Sequence, residues 1–294
     1  MSVLEHLERM GGVATRATLV RVCSRAAVDA ALAAGDLTVL ARGRYALPQA
    51  ERAVLEAHRL SGVVSHLSAA LSLGWSVMRP PDQPHVTVSS NRHVSMEQRR
   101  DVALHWSRLG TEDVDGMVTR ADRTLVDCLR TLPYAEALAV ADSAVRNGFP
   151  QARLVALALS ARGPSSAAVR RVARNADPRA ANPFESGLRA ICHEVPGLHV
   201  EPQVSIHEGG FLGRPDLIDE RLRIVFEADS FEWHGSRVAL ARDARRYNRF
   251  GLAGWLVLRF TWEDVMLEPA NVRSALAAAV VEREHQLCHG CRSA

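Results

Sequence analysis

The stretch GRPDLIDERLRIVFEADSFEWHG, residues 213–235, decides how the C-terminal third of this chain folds. It places Asp216 after a proline, and Glu227 and Asp229 follow eleven and thirteen residues later among apolar residues. Side chains alternate between the two faces of a strand, so Glu227 and Asp229 share one face, and a turn at DERL brings Asp216 alongside Glu227. Burying a carboxylate is costly unless something neutralises it. The acids are therefore either exposed on an ordinary sheet or gathered around a shared cation.

The flanking sequence predicts a helix, three strands, a helix, a fully buried strand and a closing helix within residues 182–286. In chain order the segments are PFESGLRAICHEV, HVEPQVSIH, GRPDLID, RLRIVFEAD, SRVALARDARRYNRFGLAG, WLVLRFT and NVRSALAAAVVERE. The first helix carries Glu185, which joins the acids if the helix packs on their face. Converging carboxylates suit Mg²⁺, which binds one or two of them and keeps several waters. We therefore predict a Mg²⁺ (or Mn²⁺) site at Asp216 and Glu227.

The order of these acids resembles that of the PD-(D/E)XK nuclease superfamily, whose core is αβββαβ. The segments FEADSFEWHG and RDARRYNRFGLAGWLVLRFT are similar, more closely, to Vsr-like (very-short-patch-repair-type) endonuclease domains, over roughly residues 182–285. The resemblance implies a restriction-endonuclease-like core that binds metal through Asp216 and Glu227. It further implies a catalytic role for the helix acid Glu185 and a catalytic or ligand role for Asp229 and His234.

Polar residues around these acids are the predicted DNA contacts. Arginine binds phosphate bidentately, and the arginines placed to do so are Arg214, Arg242, Arg245 and Arg246. The resemblance assigns Asp243 and Arg246 to the polar face of the following helix. Trp233 either stacks against a base or packs in the core. Ser230 stands where the family usually has Gly, and His234 stands alone where a pair is common, which leaves open how the attacking water is activated.

Residues 1–50 carry the pattern of three short helices and a basic hairpin. Thr15 and Ser24 are the expected N-caps of the second and third helices, and LTVLARGRYAL predicts the hairpin. This is the plan of a winged helix-turn-helix, which binds DNA in its major groove or only contacts protein. The residues placed to contact DNA are Arg25 on the third helix and Arg42 and Arg44 in the hairpin. The segment resembles the winged helix of AbiEi-type antitoxins and related transcriptional regulators, and the similarity continues loosely through VVSHLSAALSLGW, PHVTV and RADRTLVDCLR.

Residues 51–160 predict a mixed α/β region without a catalytic motif. ERAVLEAHRL and HLSAALSLGW predict helices, PHVTVSS and VALHWSRL predict strands, and ADRTLVDCLRTLPYAEALAVADSAVRNG predicts two more helices. The histidines of this region have no ligand spacing and are interpreted as ordinary core or surface residues: His66, His85, His93 and His105. Residues 161–181, rich in Arg, Ala and Pro, predict a linker with a short basic helix that touches phosphate or faces solvent.

Composition bounds the class of protein. The 294 residues and a hydrophobic content of 47% allow one large domain, or two to three smaller ones, with real cores. The N-terminus lacks the apolar run of a signal peptide, and no stretch is long and apolar enough to span a membrane, so we expect a soluble cytoplasmic protein. The net charge of +3 is weak support for nucleic-acid binding, and the chain contains no lysine, which codon usage in a G+C-rich genome explains.

The C-terminal residues 287–294 form the expected tail. Cys288 and Cys291 make a CxxC pair beside histidines, but we find no second ligand pair at zinc spacing. Two free thiols on a frayed tail are the prediction, and a metal shared between two chains is the alternative.

Together these patterns predict an α/β, multidomain protein that acts as a metal-dependent DNA endonuclease in defence or repair, targeted to double-stranded DNA by its winged helix. The alternative is a non-enzymatic DNA-binding regulator or antitoxin whose nuclease fold is inactive. A weaker third hypothesis is a protein-interaction module that binds a partner toxin or repair protein and has no salt-dependent affinity for DNA.

Overall fold

The structure is a computed structural model that describes residues 2–10, 12–229 and 237–290. The chain is mixed α/β, as the sequence predicts. It divides into two units, unit 1 over Met1–Pro178 and unit 2 over Arg179–Ala294. Unit 2 contains the carboxylates predicted to bind metal.

The first part of unit 1 has three helices and a small sheet. The elements are α1 (Val3–Arg9), β1 (Val13–Thr15), α2 (Arg16–Val22), α3 (Arg25–Ala33), β2 (Thr38–Ala41) and β3 (Arg44–Ala46). The side chains of Thr15 and Ser24 accept the Thr18 and Ala27 amides, so both predicted N-caps are confirmed. The sequence did not indicate β1, which adds a third strand to the predicted hairpin in the order β1-β3-β2.

The rest of unit 1 builds a five-stranded sheet covered by helices. Its elements are α4 (Gln49–Arg59), β4 (Val63–Val64), α5 (His66–Ser72), β5 (His85–Val88), β6 (Ala103–Trp106), β7 (Val114–Asp115), β8 (Val118–Thr119), α6 (Ala121–Thr131), α7 (Tyr134–Arg146), α8 (Gln151–Ser160) and α9 (Ser166–Asn175). The sheet order is β6-β5-β4-β8-β7, with β5 and β6 parallel. Strands of two residues carry no usable periodicity, which is why the sequence did not predict β4, β7 and β8.

Two predicted boundaries differ from the structure. Residues 1–50 and 51–160 belong to one unit, and they are joined by Arg44, which donates to the Gly74 carbonyl 2.6 Å away. The segment 161–181 is not a linker, because most of it lies in unit 1 and its helix α9 buries Val169 and Val172. The apolar face of α9 packs against α6, α7 and α8. The high Arg, Ala and Pro content of residues 161–181 had made this apolar face hard to recognise in the sequence.

Unit 2 is a four-stranded sheet with helices and a small separate hairpin. Its elements are α10 (Pro183–Cys192), β9 (Glu201–Pro202), β10 (Ile206–His207), β11 (Phe211–Gly213), β12 (Leu217–Asp219), β13 (Ile224–Asp229), α11 (Arg237–Leu252), β14 (Leu256–Thr261), α12 (Trp262–Leu267) and α13 (Pro269–Gly290). The sheet order is β14-β13-β12-β9. Strand β14 runs parallel to β13, whereas β12 is antiparallel to both β13 and β9. The hairpin pairs β10 with β11.

Three predictions for unit 2 are wrong in detail. The single strand expected over 199–207 is divided, because Gln203 has a φ of 58° and turns the chain between β9 and β10. The strand WLVLRFT is not fully buried, since β14 lies at the edge of the sheet and exposes Arg259. The tail expected from residue 287 is helical up to Gly290, with Cys288 exposed on α13, whereas Cys291 lies outside the described residues.

Candidate functional site

Asp216 and Glu227 lie side by side at the end of the β12–β13 pair. Leu217 is paired with Phe226, so the preceding residue Asp216 comes next to Glu227, as predicted. Asp216 Oδ2 accepts a hydrogen bond of 2.8 Å from the Ala228 amide, which fixes its carboxylate beside β13. Burial raises the pKa of Asp216.

Glu227 is the most deeply buried of these acids. It is only 3% exposed, and its Oε1 atom has no hydrogen-bond partner among the residues that the structure describes. Burial, followed by the charge of Asp216, raises the pKa of Glu227 to about 9. A carboxyl group in this position is protonated at neutral pH unless a cation compensates its charge.

Arg246 is the cation that the protein itself places at Glu227. Its Nη2 lies 3.3 Å from Glu227 Oε1 and 3.7 Å from the buried Asp243, and it donates to the Tyr247 hydroxyl at 3.1 Å. The guanidinium of Arg246 is directed at carboxylates in this structure, and the phosphate contact predicted for it stays a prediction. The pKa of Glu227 stays high even with this charge nearby, so Arg246 compensates the cluster only in part.

Glu185 connects α10 to the cluster through a residue that the sequence had not singled out. Its carboxylate accepts from the Ala181 amide and from Asn182 Nδ2, both at 2.8 Å, which anchors the start of α10. Gln203 Nε2 lies 3.1 Å from Glu185 Oε2 and 3.1 Å from Asp216 Oδ1, and bridges the two acids.

Asp229 points toward the same side as Glu227 but has its own cation. It forms an ion pair with Arg259 of the neighbouring strand β14. The Arg259 guanidinium also lies over the Tyr247 ring, 4.4 Å from the ring centroid. Asp229 is thus held next to the Asp216–Glu227 pair, and its charge contributes to the raised pKa of Glu227. His234 and Trp233 lie outside the described residues.

The remaining predicted DNA contacts of unit 2 are exposed. Arg214, Arg242 and Arg245 all face solvent. On α11, Arg242 and Arg245 line a shallow groove together with Asn248 and Arg249. Arg249 extends the basic surface by one turn of helix beyond the residues that the sequence indicated.

In unit 1 the structure separates the three predicted DNA contacts. Arg25 is exposed on α3, and Arg42 is exposed in the turn between β2 and β3. Arg44 is not available, because its guanidinium donates both to the Gly74 carbonyl and to Asn147 Oδ1. The phosphate contact predicted for Arg44 would require these bonds to break, because the side chain holds the hairpin to the rest of unit 1.

The carboxylate cluster has the donor set that a hard divalent cation requires. Asp216 and Glu227 supply adjacent oxygens, and the buried Oε1 of Glu227, which has the ion pair with Arg246 but no hydrogen bond among the described residues, is a polar atom that a cation would satisfy. Burial raises the pKa of Asp216, and burial followed by the charge of Asp216 raises the pKa of Glu227; a bound cation would favour the charged form of both carboxyl groups. Mg²⁺ or Mn²⁺ therefore fits these two residues.

Three of the histidines interpreted as ordinary core or surface residues come together in the structure. His66, His85 and His105 form one cluster, in which one ring nitrogen of each lies within 4.8 Å of the others. No local sequence pattern indicates this cluster, because the three residues lie on α5, β5 and β6 and are spaced by nineteen and twenty positions.

Comparisons with known proteins identify relatives but no activity. No protein-family model matches the chain, and no solved structure matches it. Two Mycobacterium tuberculosis proteins, Uncharacterized protein MT2308 and Uncharacterized protein Rv2248, are each 30% identical to it over 159 residues. The match covers 52% of this chain and 58% of each relative, so the chain spans little more than half of their length. Among the described residues, no helix is long and apolar enough to cross a membrane.

Proposed function

We propose that this protein is a metal-dependent endonuclease that hydrolyses phosphodiester bonds of double-stranded DNA at Asp216 and Glu227. The observation that carries the proposal is the adjacent pair of acids, in which Glu227 Oε1 is buried without a hydrogen-bond partner among the described residues. Two carboxylates brought together in this way indicate a site for a divalent cation. Mg²⁺ is the expected ion, and Mn²⁺ is the expected substitute.

The arrangement of unit 2 supports the resemblance to PD-(D/E)XK and Vsr-like nucleases. Its chain order of α10, β9, β12, β13, α11 and β14 corresponds to the expected αβββαβ core, with the β10–β11 hairpin inserted. The antiparallel pairing of β12 with β13 brings Asp216, the residue before β12, next to Glu227 on β13, and β14 pairs with β13 in parallel. Glu185 is linked to this position through Gln203.

The roles of the residues follow from their positions. A divalent cation held by Asp216 and Glu227 would polarise the scissile phosphate and lower the pKa of a bound water. Gln203 holds the Asp216 carboxylate in position, and Asp229, or His234 of the undescribed segment, would orient or deprotonate the attacking water. The exposed Arg242 and Arg245, with Arg249, bind neighbouring phosphates.

The first part of unit 1 is proposed to direct the enzyme to DNA as a winged helix-turn-helix. Helices α1 to α3 precede a hairpin of β2 and β3, which is the element order of that motif. Arg25 on α3 and Arg42 at the hairpin turn are exposed and carry the expected contacts. Asp29, also on α3, is paired with Arg16.

One observation favours the second function, a DNA-binding regulator with an inactive nuclease fold. Arg246 lies 3.3 Å from Glu227 Oε1, where it supplies a fixed positive charge in place of a metal ion. If that ion pair persists in solution, it competes with cation binding at Glu227. The two functions share the DNA-binding surfaces and differ only in whether the acids act.

The test is cleavage of supercoiled plasmid and mismatched duplex DNA by the full chain in Mg²⁺, Mn²⁺ or chelator. Wild type is compared with the double variant Asp216→Asn/Glu227→Gln and with Glu220→Gln, which changes an exposed acid in the turn between β12 and β13. Metal-dependent nicking that is lost only in the double variant is the expected result.

The same samples separate the alternatives by DNA affinity at several salt concentrations. The absence of cleavage together with tight, salt-dependent binding by all three proteins would identify the regulator. The absence of salt-dependent binding would instead identify a protein-interaction module, because phosphate contacts release counterions and make affinity fall with salt.

A further inference from the structure

Three histidines of unit 1 converge on one point, far along the chain from the carboxylates. His66 is the first residue of α5, His85 begins β5, and His105 lies on β6. In the parallel pair of β5 and β6, Thr87 stands opposite His105, so His85 and His105 share one face of the sheet. The centroid of the His105 ring lies 3.6 Å from that of His66 and 5.1 Å from that of His85.

The three rings are neutral at physiological pH. Burial lowers the pKa of His66 to about 2 and that of His85 to about 4, and it lowers the pKa of His105 as well. Each neutral imidazole has one nitrogen with a free lone pair, which is the form that binds metal. Protons therefore do not compete for these nitrogens at neutral pH.

His66 is held in place by polar partners behind it. Its Nδ1 lies 2.9 Å from Ser65 Oγ, which in turn accepts a hydrogen bond of 2.7 Å from Thr87 Oγ1. When Nδ1 carries the proton and donates a hydrogen bond to Ser65 Oγ, the free lone pair of the His66 ring is on Nε2. Such a hydrogen bond on the second ring nitrogen is typical of metal-binding histidines. His66 also has a φ of 49°, a conformation unusual for a residue other than glycine.

We propose that His66, His85 and His105 form a binding site for a divalent transition-metal ion, with Zn²⁺ as the best fit. Three imidazoles are the protein ligands of a four-coordinate zinc site that keeps one open position. Mg²⁺ does not fit here, because it prefers oxygen ligands. The histidine site lies in unit 1 and has nitrogen ligands, whereas the carboxylate cluster lies in unit 2. The zinc proposal therefore does not depend on the proposed nuclease function.

Binding requires a small rearrangement of the rings. His85 Nδ1 and His105 Nε2 lie 3.0 Å apart in a hydrogen bond that a metal would replace. Zinc–nitrogen bonds of about 2.0–2.1 Å place the ligand nitrogens of one zinc ion roughly 3.3 Å apart. The nitrogens of the three histidines now lie within 4.8 Å of one another, and rotation of the rings would bring them to that separation. The positive charge of Arg123, which lies near His66, is compensated by an ion pair with Asp127 at 2.9 Å.

The test is metal binding by the full chain after chelation and dialysis, with Zn²⁺ measured by calorimetry and Co²⁺ by its visible spectrum. The ligand variants are His85→Gln and His105→Gln, and Ser65→Ala removes the partner behind His66. The control His93→Gln changes an exposed histidine of the same unit. The double variant Cys288→Ser/Cys291→Ser removes the C-terminal thiols, which are the other soft ligands that could bind these ions.

The expected result is one site per chain in wild type and in both controls, with a Co²⁺ spectrum that lacks thiolate charge-transfer bands. Affinity falls about 10- to 100-fold in Ser65→Ala and by more in His85→Gln and His105→Gln, which also lose the rise in melting temperature that added Zn²⁺ produces. The proposal is overturned if no metal binds, if the histidine variants bind as wild type does, or if binding disappears only with the two cysteines.

Discussion

At the scale of single residues, Glu227 links the chemistry of the site to the stability of the fold. Its folded-state pKa of about 9 is raised above the unfolded value. The stability that it contributes is therefore fully present below the unfolded pKa of about 4.3 and is lost as the pH rises through the folded pKa. At about 1.4 kcal/mol per pKa unit, the loss at neutral pH is on the order of 3 kcal/mol.

Glu227→Gln should therefore stabilise the metal-free protein at neutral pH by up to about 3 kcal/mol, because the amide has no charge to bury. Urea unfolding at several pH values between about 5 and 8 measures the effect, and the difference from wild type should widen as the pH rises. The exposed control Glu220→Gln should show no such trend. A variant that is less stable than wild type throughout this range would mean that Arg246 already satisfies an ionised Glu227.

Arg44 and Arg42 form a matched pair in the same hairpin. Arg44→Ala removes the donor to the Gly74 carbonyl and to Asn147, and should destabilise the protein by about 1–3 kcal/mol. Arg42→Ala should change stability by less than about 0.5 kcal/mol, because the side chain is exposed. Denaturant unfolding measures both values.

DNA binding should rank the same two variants in the opposite order. Arg42→Ala should lower the slope of log affinity against log salt by about one, whereas Arg44→Ala should leave the slope unchanged. Equal slopes for wild type and Arg42→Ala would remove the hairpin turn from the proposed DNA interface.

At the scale of elements, close packing between β11 and α11 positions Arg246 against Glu227. Gly213 lies on β11, and a Cβ atom there would stand 2.7 Å from Cζ of the fully buried Phe250. Gly213→Ala should therefore push α11 outward and cost about 1–3 kcal/mol. Gly251 on α11 has no neighbour within 4 Å of such an atom, so Gly251→Ala should stabilise the helix by about 0.5–1 kcal/mol.

Thermal unfolding of both glycine variants measures these opposite signs. A Gly213→Ala protein as stable as wild type would show that β11 and α11 are not held as closely as this contact requires.

How well the sequence predicted the structure differed from one secondary-structure element to the next. Helices with a polar cap, such as α2 and α3 after Thr15 and Ser24, were predictable because the signal is local. The pairing of Asp216 with Glu227 followed from strand periodicity and one turn. Strands of two residues and the turn at Gln203 were not predictable, because tertiary contacts determine them. The ion pair of Arg246 and the histidine cluster join residues distant in sequence, and no local pattern records such contacts.

At the scale of the whole molecule, the two units carry chemically different candidate sites and separate cores. Among the described residues, hydrophobic clusters around Leu19 and around Val64 lie in unit 1, and a cluster around Phe250 lies in unit 2. Nitrogen ligands occur together in unit 1, and carboxylates occur together in unit 2. Because each unit has its own buried core, each should fold by itself.

Fragments 1–178 and 179–294, produced separately, should each unfold in one cooperative transition with a near-ultraviolet circular dichroism signal. Under the proposed functions, fragment 1–178 keeps Zn²⁺ binding and fragment 179–294 keeps Mg²⁺-dependent nicking, though with weaker DNA affinity because Arg25 and Arg42 are absent. An equimolar mixture is the control for any activity that needs both units. A fragment with secondary structure but no near-ultraviolet signal would show that its core depends on the other unit, because that combination marks a collapsed state without fixed packing.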